Sequence, residues 1–197
     1  IITNSRMSKA QVAHYYNVPE EKITVVHNGV DLNKFNPDEK QGLRKSIRKN
    51  LGIKNDETAL LFVGNDFRRK GLQFAMQCAA KLIKKGLKVK LLIAGRQKAG
   101  PYLRLARKNG YADNFLFLGH VEKIESVFCA SDMFVLPTFY DPFSNVCLEA
   151  MACGLPVMTT RLNGAAEIIE DRVSGILVDS PWDLDEMITA ASSVIEN

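Results

Sequence analysis

Two short stretches carry the groups that could do chemistry. The first, GNDFRRKG at residues 64–71, leaves an apolar run and enters a helical pattern at Leu72. It places Arg68, Arg69 and Lys70 at a helix N-terminus, the end where the macrodipole already contributes about half a positive charge. An anion shared among the cations, a phosphate above all, resolves that conflict; a solvated basic turn is the plainer reading. The second stretch, YDPFSN at residues 140–145, opens a helix that runs toward Gly154, with Ser144 suited to the N-cap. From Phe143 to Thr160, Glu149 is the only charged side chain, on a helix that must be largely buried. A buried carboxylate needs a partner, either a cation of the protein or a ligand offering paired hydroxyls such as a ribose diol. Asp141 lies on the loop where this helix begins, so both carboxylates can address one crevice and one small polyol could meet both.

Those stretches must be held by something, and the rest of the chain alternates short β-rich runs with helical patterns. Strands are expected at 23–27, 59–64, 89–94, 114–118, 133–136, 156–159 and 175–178, and helices at 5–16, 39–50, 72–85, 102–109, 123–130, 144–153 and 181–195. The clearest helix puts Leu72, Ala75, Met76, Ala79, Leu82 and Ile83 on one face and stops at Gly86. Continuous apolar strands between such helices imply an α/β domain, a doubly wound, Rossmann-like parallel sheet covered on both faces. In such sheets ligands lie at the carboxyl ends of the strands, where both stretches fall.

Several function classes are excluded or weakened. No run is long and apolar enough for a membrane-spanning helix, and the first residues have no signal-peptide pattern. No G-x-x-x-x-G-K-[ST] loop occurs and no G-x-G-x-x-G follows a strand, which weakens ATPase and dinucleotide readings. Cys78, Cys129, Cys147 and Cys153 form no C-x-x-C pair and the three histidines are dispersed, so neither a zinc site nor a disulfide framework is expected. Asp183 and Asp185 match a metal-binding D-x-D by letter, but at the start of a helix they suit the dipole. The net charge of +4 hides an asymmetry: residues 1–100 carry 20 basic and 8 acidic side chains, residues 101–197 carry 6 and 14. Clusters at Lys40, Arg44, Lys45, Arg48, Lys49 and at Lys81, Lys84, Lys85, Lys88, Lys90 read as exposed helix faces, or as a surface for an anionic membrane or acidic acceptor. No nucleic-acid motif accompanies them.

The segment LPTFYDPFSNVCLEAMACGLPV at 136–157 resembles the signature of retaining, nucleotide-sugar-dependent glycosyltransferases of the GT-B fold, in glycosyltransferase family 4. Its E-x7-E spacing is met by Asp141 and Glu149, and VHNGVD at 26–31, VGNDFRRKG at 63–71, FLGHV at 117–121 and the tail from Glu167 to Val178 support it. The 64–71 loop looks most like lipopolysaccharide core glucosyltransferases. The resemblance implies that residues 1–197 are the C-terminal, donor-binding Rossmann-like lobe, with an acceptor lobe upstream; the start at Ile1 also suggests a piece of a longer chain.

The resemblance also implies roles. Glu149 would hold the ribose hydroxyls, Asp141 the donor-sugar hydroxyls, and Lys70 the diphosphate, with Arg69 favoured over Arg68 as the second phosphate cation. Gly64, Asn65 and Phe143 join the donor site, the backbone N–H groups of Ser144, Asn145 and Val146 would face phosphate or sugar oxygens, His120 would lie beside the base, and Lys34 could add a cation. The implied reaction transfers a hexose, glucose from UDP-glucose, to a glycan or lipopolysaccharide core acceptor, without metal or other cofactor, in the cytoplasm or peripheral to the inner membrane. Three departures stand out. Asp141 replaces the usual Glu and reaches roughly 1.5 Å less far, Asn65 stands where Arg is usual, and Ser144 where Gly is frequent. Two rivals remain open: a glycosidase using Asp141 and Glu149 as its acid and base, and a binding module without catalysis.

Overall fold

A computed structural model describes residues 1–37 and 41–196. The main sheet has six strands, all parallel: β3 (Thr58–Val63), β4 (Val89–Ala94), β5 (Phe115–Gly119), β6 (Met133–Leu136), β7 (Val157–Thr160) and β8 (Gly175–Val178), in the spatial order β5-β4-β3-β6-β7-β8. The chain starts in the middle, builds outward to β5, then returns to the other side of β3 to place β6. That reversal is the switch point at which a crevice opens beyond the strand ends. The two chemistry-bearing stretches are the loops after β3 and β6, the two strands that flank it.

The expected strand at 23–27 is not part of this sheet. Among the described residues, Thr24–Val25 (β2) pairs in parallel with Ile2–Thr3 (β1) in a separate two-stranded unit. Around it run α1 (Arg6–Tyr16) and a 3-10 turn at Glu20–Lys22. The other helices are α2 (Gln41–Asn50), α3 (Leu72–Lys84), α4 (Gly100–Lys108), α5 (Ile124–Ala130), α6 (Asn145–Ala152) and α7 (Leu184–Ile195). The first two residues of the helix expected at 39–50 lie outside the described residues, as does Lys40. A second 3-10 turn, Gly164–Ile168, was not foreseen.

The core forms as the pattern dictates. Leu72, Ala75, Met76, Ala79 and Leu82 of α3 are buried, each large aliphatic side chain contributing about 1.5–3 kcal/mol, and Phe74 joins them. Cys78, Cys147 and Cys153 are buried and Cys129 half-buried, and the four form no disulfide with one another; burial pushes the Cys78 and Cys147 thiols up to about 12. No described helix is long and apolar enough to cross a membrane.

The basic clusters divide. Lys81, Lys84, Lys85 and Lys88 are exposed, but Arg48 is only 6% exposed and Arg44 half-buried. On α2, Lys45 and Lys49 are exposed as expected, whereas Arg44 and Arg48 are not. Both guanidinium groups turn inward, because Asp132 and several carbonyls at the amino ends of β3 and β6 require donors.

Gly71 fixes how the first loop meets α3. Its φ is +75°, and a Cβ there would stand 1.9 Å from the carbonyl oxygen of Pro137 on the neighbouring loop. The left-handed conformation alone costs an L residue roughly 1–2 kcal/mol. Gly71→Ala is expected to lower stability by at least about 2 kcal/mol, read from the urea midpoint, and to weaken anion binding by displacing Lys70.

Candidate functional site

Loops after β3, β4, β5 and β6, together with the first turns of α6, enclose a cleft of about 910 Å³. Into it project Arg69 and Lys70 from the first loop, Asp141 and Ser144 from the second, and Glu149 one turn down α6. Gly64, Asn65, His120, Phe143, Asn145 and Val146 also line it. Lys34 does not: its ammonium lies 4.0 Å from a Glu125 carboxylate oxygen and over the ring of Phe35. Arg68 does not either; it points to an adjoining recess, whereas Arg69 faces the cleft.

Both carboxylates line the one cleft, as the spacing argument expects, but their surroundings differ. Asp141, 6% exposed, is closed into an ion pair with the Lys70 ammonium, and Arg69 Nη1 lies 3.7 Å from the same oxygen. Its other oxygen accepts the Phe143 N–H at 3.2 Å. The anion shared by the cations of the first loop is here Asp141 itself. The shorter Asp side chain, anchored by its own loop, suits this inward pairing.

Glu149 is the opposite case. It is half-buried and, among the described residues, no side chain or backbone group hydrogen-bonds or ion-pairs with its carboxylate. Burial pushes its carboxyl above the ordinary 4.5, partly offset by the charge of Lys34. Above pH 4.5 the folded state therefore holds this proton more tightly than the unfolded chain, so stability falls as pH rises through the window up to the raised pKa. The cost is fully present once the pH lies above the raised value. Glu149→Gln is expected to raise the thermal midpoint slightly at pH 7 and not below pH 4.5, while lowering nucleotide affinity about tenfold or more, the worth of a hydrogen bond to a charged group. Melting curves at the two pH values and calorimetric titration with UDP check both halves.

The α6 N-terminus supplies the remaining donors. Ser144 occupies the N-cap position but its hydroxyl does not cap the helix; it accepts from Lys70 Nζ at 3.1 Å instead. The Ser144 N–H is given to Asn163 Oδ1 at 3.2 Å, so of the three backbone donors expected to face a ligand this one is already used. The N–H groups of Asn145 and Val146 have no partner among the described residues. The Asn145 side chain is tied to Asn28 Nδ2 at 2.7 Å, which brings the segment after β2 to the same edge.

Three features escaped the sequence reading. Arg96 lines the cleft and packs its guanidinium on His120, with contacts of 3.3 and 3.1 Å, and its N–H bonds Asn65 Oδ1 at 3.0 Å. Thus Asn65 orients the Arg96 loop. Gly95, with a φ of +157°, lets the chain pass where a Cβ would lie 1.9 Å from the Gly64 carbonyl oxygen. The Tyr140 carbonyl accepts from Arg69 Nη1 at 2.6 Å, fixing that side chain at the cleft mouth. Glu167 caps α1 through the N–H groups of Arg6 and Met7 at 2.8 and 2.9 Å and bonds His27 at 3.0 Å, and His27 stacks on Phe143. Burial raises the Glu167 carboxyl, but these donors outweigh it and the group ends below its ordinary value.

Near Asp183 and Asp185, Asp183 takes the N-cap position of α7 without a side-chain bond, and Asp185 and Glu186 fall in the first turn, where carboxylates suit the dipole. Among the described residues no cluster of three or more His, Cys, Asp or Glu side chains could hold a metal ion.

The family model for glycosyl transferases group 1 matches residues 57–197, and that for Glycosyltransferase Family 4 matches residues 1–34. An uncharacterized glycosyltransferase of Methanocaldococcus jannaschii is 32% identical over 198 residues, covering 96% of this chain and 50% of its own. A D-inositol 3-phosphate glycosyltransferase of Mycolicibacterium smegmatis is 32% identical over 203 residues, covering all of this chain and 45% of its own. Among solved structures, WaaG, a glycosyltransferase involved in lipopolysaccharide biosynthesis, superposes with a TM-score of 0.88 at 24% identity, over 100% of this chain and 53% of that one. HepE of Anabaena, in complex with UDP and glucose, gives 0.87 at 23%, over 100% and 53%. The chain spans about half the length of the curated relatives it matches. The α/β sheet with its switch-point cleft is thus the Rossmann-like fold of GT-B glycosyltransferases, and the chain belongs to the glycosyl transferases group 1 family.

Proposed function

We propose that this chain is the donor-binding lobe of a retaining hexosyltransferase that uses a nucleotide sugar, UDP-glucose, and transfers to a glycan or lipopolysaccharide core acceptor held mainly by a second lobe. The observation that carries the reading is the unpaired Glu149 carboxylate in the cleft that also holds Lys70 and Arg69. Glu149 accepts from the ribose hydroxyls. The diphosphate lies against Lys70, Arg69 and the open N–H groups of Asn145 and Val146, at the positive end of α6. Arg96 and His120 border the base.

Breaking the bond between the anomeric carbon and the β-phosphate leaves negative charge on that phosphate, which the two cations and the N–H groups are placed to meet. Asp141 holds Lys70 in position before the donor arrives, and the diphosphate competes for the same ammonium. As the bond from the anomeric carbon to the β-phosphate oxygen breaks, the acceptor hydroxyl attacks from the same face and gives its proton to the departing phosphate, which preserves the anomeric configuration. The complexes of HepE with UDP and glucose support the choice of donor, and the likeness to WaaG the choice of acceptor class.

Calorimetric titration of the chain with UDP and UDP-glucose, followed by a transfer assay on the full-length protein, tests the proposal. Binding of both and nucleotide-dependent transfer are expected, unchanged by chelators because no step uses a metal. Sugar release without nucleotide would point to hydrolysis instead, and efficient transfer by this chain alone would overturn the division between lobes.

A further inference from the structure

Beside the donor cleft lies a second recess of about 560 Å³ whose lining differs in chemistry. Its wall is aromatic: Phe74, Phe139 and Trp182 pack edge to face with ring centroids 4.8 to 5.6 Å apart, and Tyr102 stands at its border. Trp182 is the chain's only tryptophan and is 71% exposed, yet two neighbouring rings hold it in place. Exposing so large an apolar face is unfavourable unless something covers it. Arg68 and Gln73 are exposed at the same recess, and neither side chain, nor the Tyr102 hydroxyl, has a hydrogen-bond or ionic partner among the described residues. Asp66 does not neutralise Arg68, because its carboxylate is engaged with Arg69 at 3.3 Å.

Rigid aromatic faces with a few converging polar groups suit the apolar face and hydroxyl rim of a sugar ring. An unpaired guanidinium adds selectivity for an anion, and phosphate matches its paired donors. Asp66 and Arg69 line both this recess and the donor cleft, so the two are contiguous.

We infer that the recess is a carbohydrate subsite for a phosphorylated pyranose, stacked on Trp182 with its phosphate on Arg68, through which this lobe holds part of the acceptor beside the donor. The inference rests on the proposed glycosyltransferase reading but involves none of the residues assigned there to the leaving group except the shared wall at Arg69.

The single tryptophan makes the test direct. Glucose 6-phosphate added to the chain is expected to shift Trp182 emission to shorter wavelength and to saturate, with or without UDP. Glucose or inorganic phosphate alone should bind at least about tenfold more weakly, each lacking one half of the recognition. Arg68→Ala should weaken glucose 6-phosphate about tenfold and leave calorimetric UDP binding unchanged. No saturable shift, an equal response to inorganic phosphate, or displacement by UDP would overturn the subsite. If UDP binds and glucose 6-phosphate does not, only this inference fails; if UDP does not bind at all, the donor-site reading fails first.

Discussion

Lys70→Met is expected to reduce transfer by the full-length protein about 100- to 1,000-fold, the worth of one preorganised donor at roughly 3–4 kcal/mol in the transition state. The side chain is nearly enclosed, with its ammonium between Asp141 and Ser144, where the leaving phosphate would also bind. A surface ion pair in water would give only about 0–1 kcal/mol, so the size of the loss separates the two situations. One complication has a physical remedy. Removing Lys70 leaves the buried Asp141 with only Arg69 nearby, and breaking a buried pair costs about 3–5 kcal/mol of stability. The double variant Lys70→Met/Asp141→Asn removes both charges. It should recover much of the thermal midpoint while transfer stays low, whereas a purely structural Lys70 would recover both. Melting curves and initial rates on the same preparations decide the matter.

Arg48→Ala is expected to destabilise the fold by about 3–5 kcal/mol, the cost of stranding buried charged and polar partners. Its guanidinium donates to the carbonyl oxygens of Ala130, Lys54 and Glu57 at 2.9, 2.9 and 2.5 Å and to Asp132 at 3.0 Å, joining α2 to the starts of β3 and β6. For a chain of this length the thermal midpoint should fall on the order of 10 °C. Arg48→Lys should recover little, because one ammonium cannot match a planar fork that meets four acceptors. UDP affinity, measured below the transition, should stay near wild type, since Arg48 sits at the opposite ends of the strands from the cleft. A marked loss of UDP binding in the folded variant would show that the two ends of the sheet are coupled.

The helical period of α3, the apolar strands and the glycines that end them were legible because each depends on neighbours within one turn or one strand. The resemblance carried by residues 136–157 likewise pointed to a cleft where Lys70 and Glu149 now stand together. What could not be read there were partners distant in the chain. Arg44 and Arg48 have the spacing of a solvated face, yet Asp132, more than eighty positions away, draws both inward. Lys34 follows a matched motif and its charge reaches Glu149, but its ammonium rests beside Glu125 outside the cleft, and Arg96 had no motif to flag it. The strand expected at 23–27 is apolar enough for the main sheet, but among the described residues it pairs with β1 instead.

The sequence by itself determined an α/β alternation, the two loops that bear chemistry, and a lone acid in an apolar helix, because periodicity and composition are local quantities. Tertiary structure alone decided which carboxylate is paired and which is open. Asp141 and Glu149 are equally charged and eight positions apart, and only the approach of the β3 loop to the β6 loop puts Lys70 on the first and leaves the second facing the cleft. Ion pairing depends on separation in space and on the water excluded between the groups, and neither is written in the order of residues.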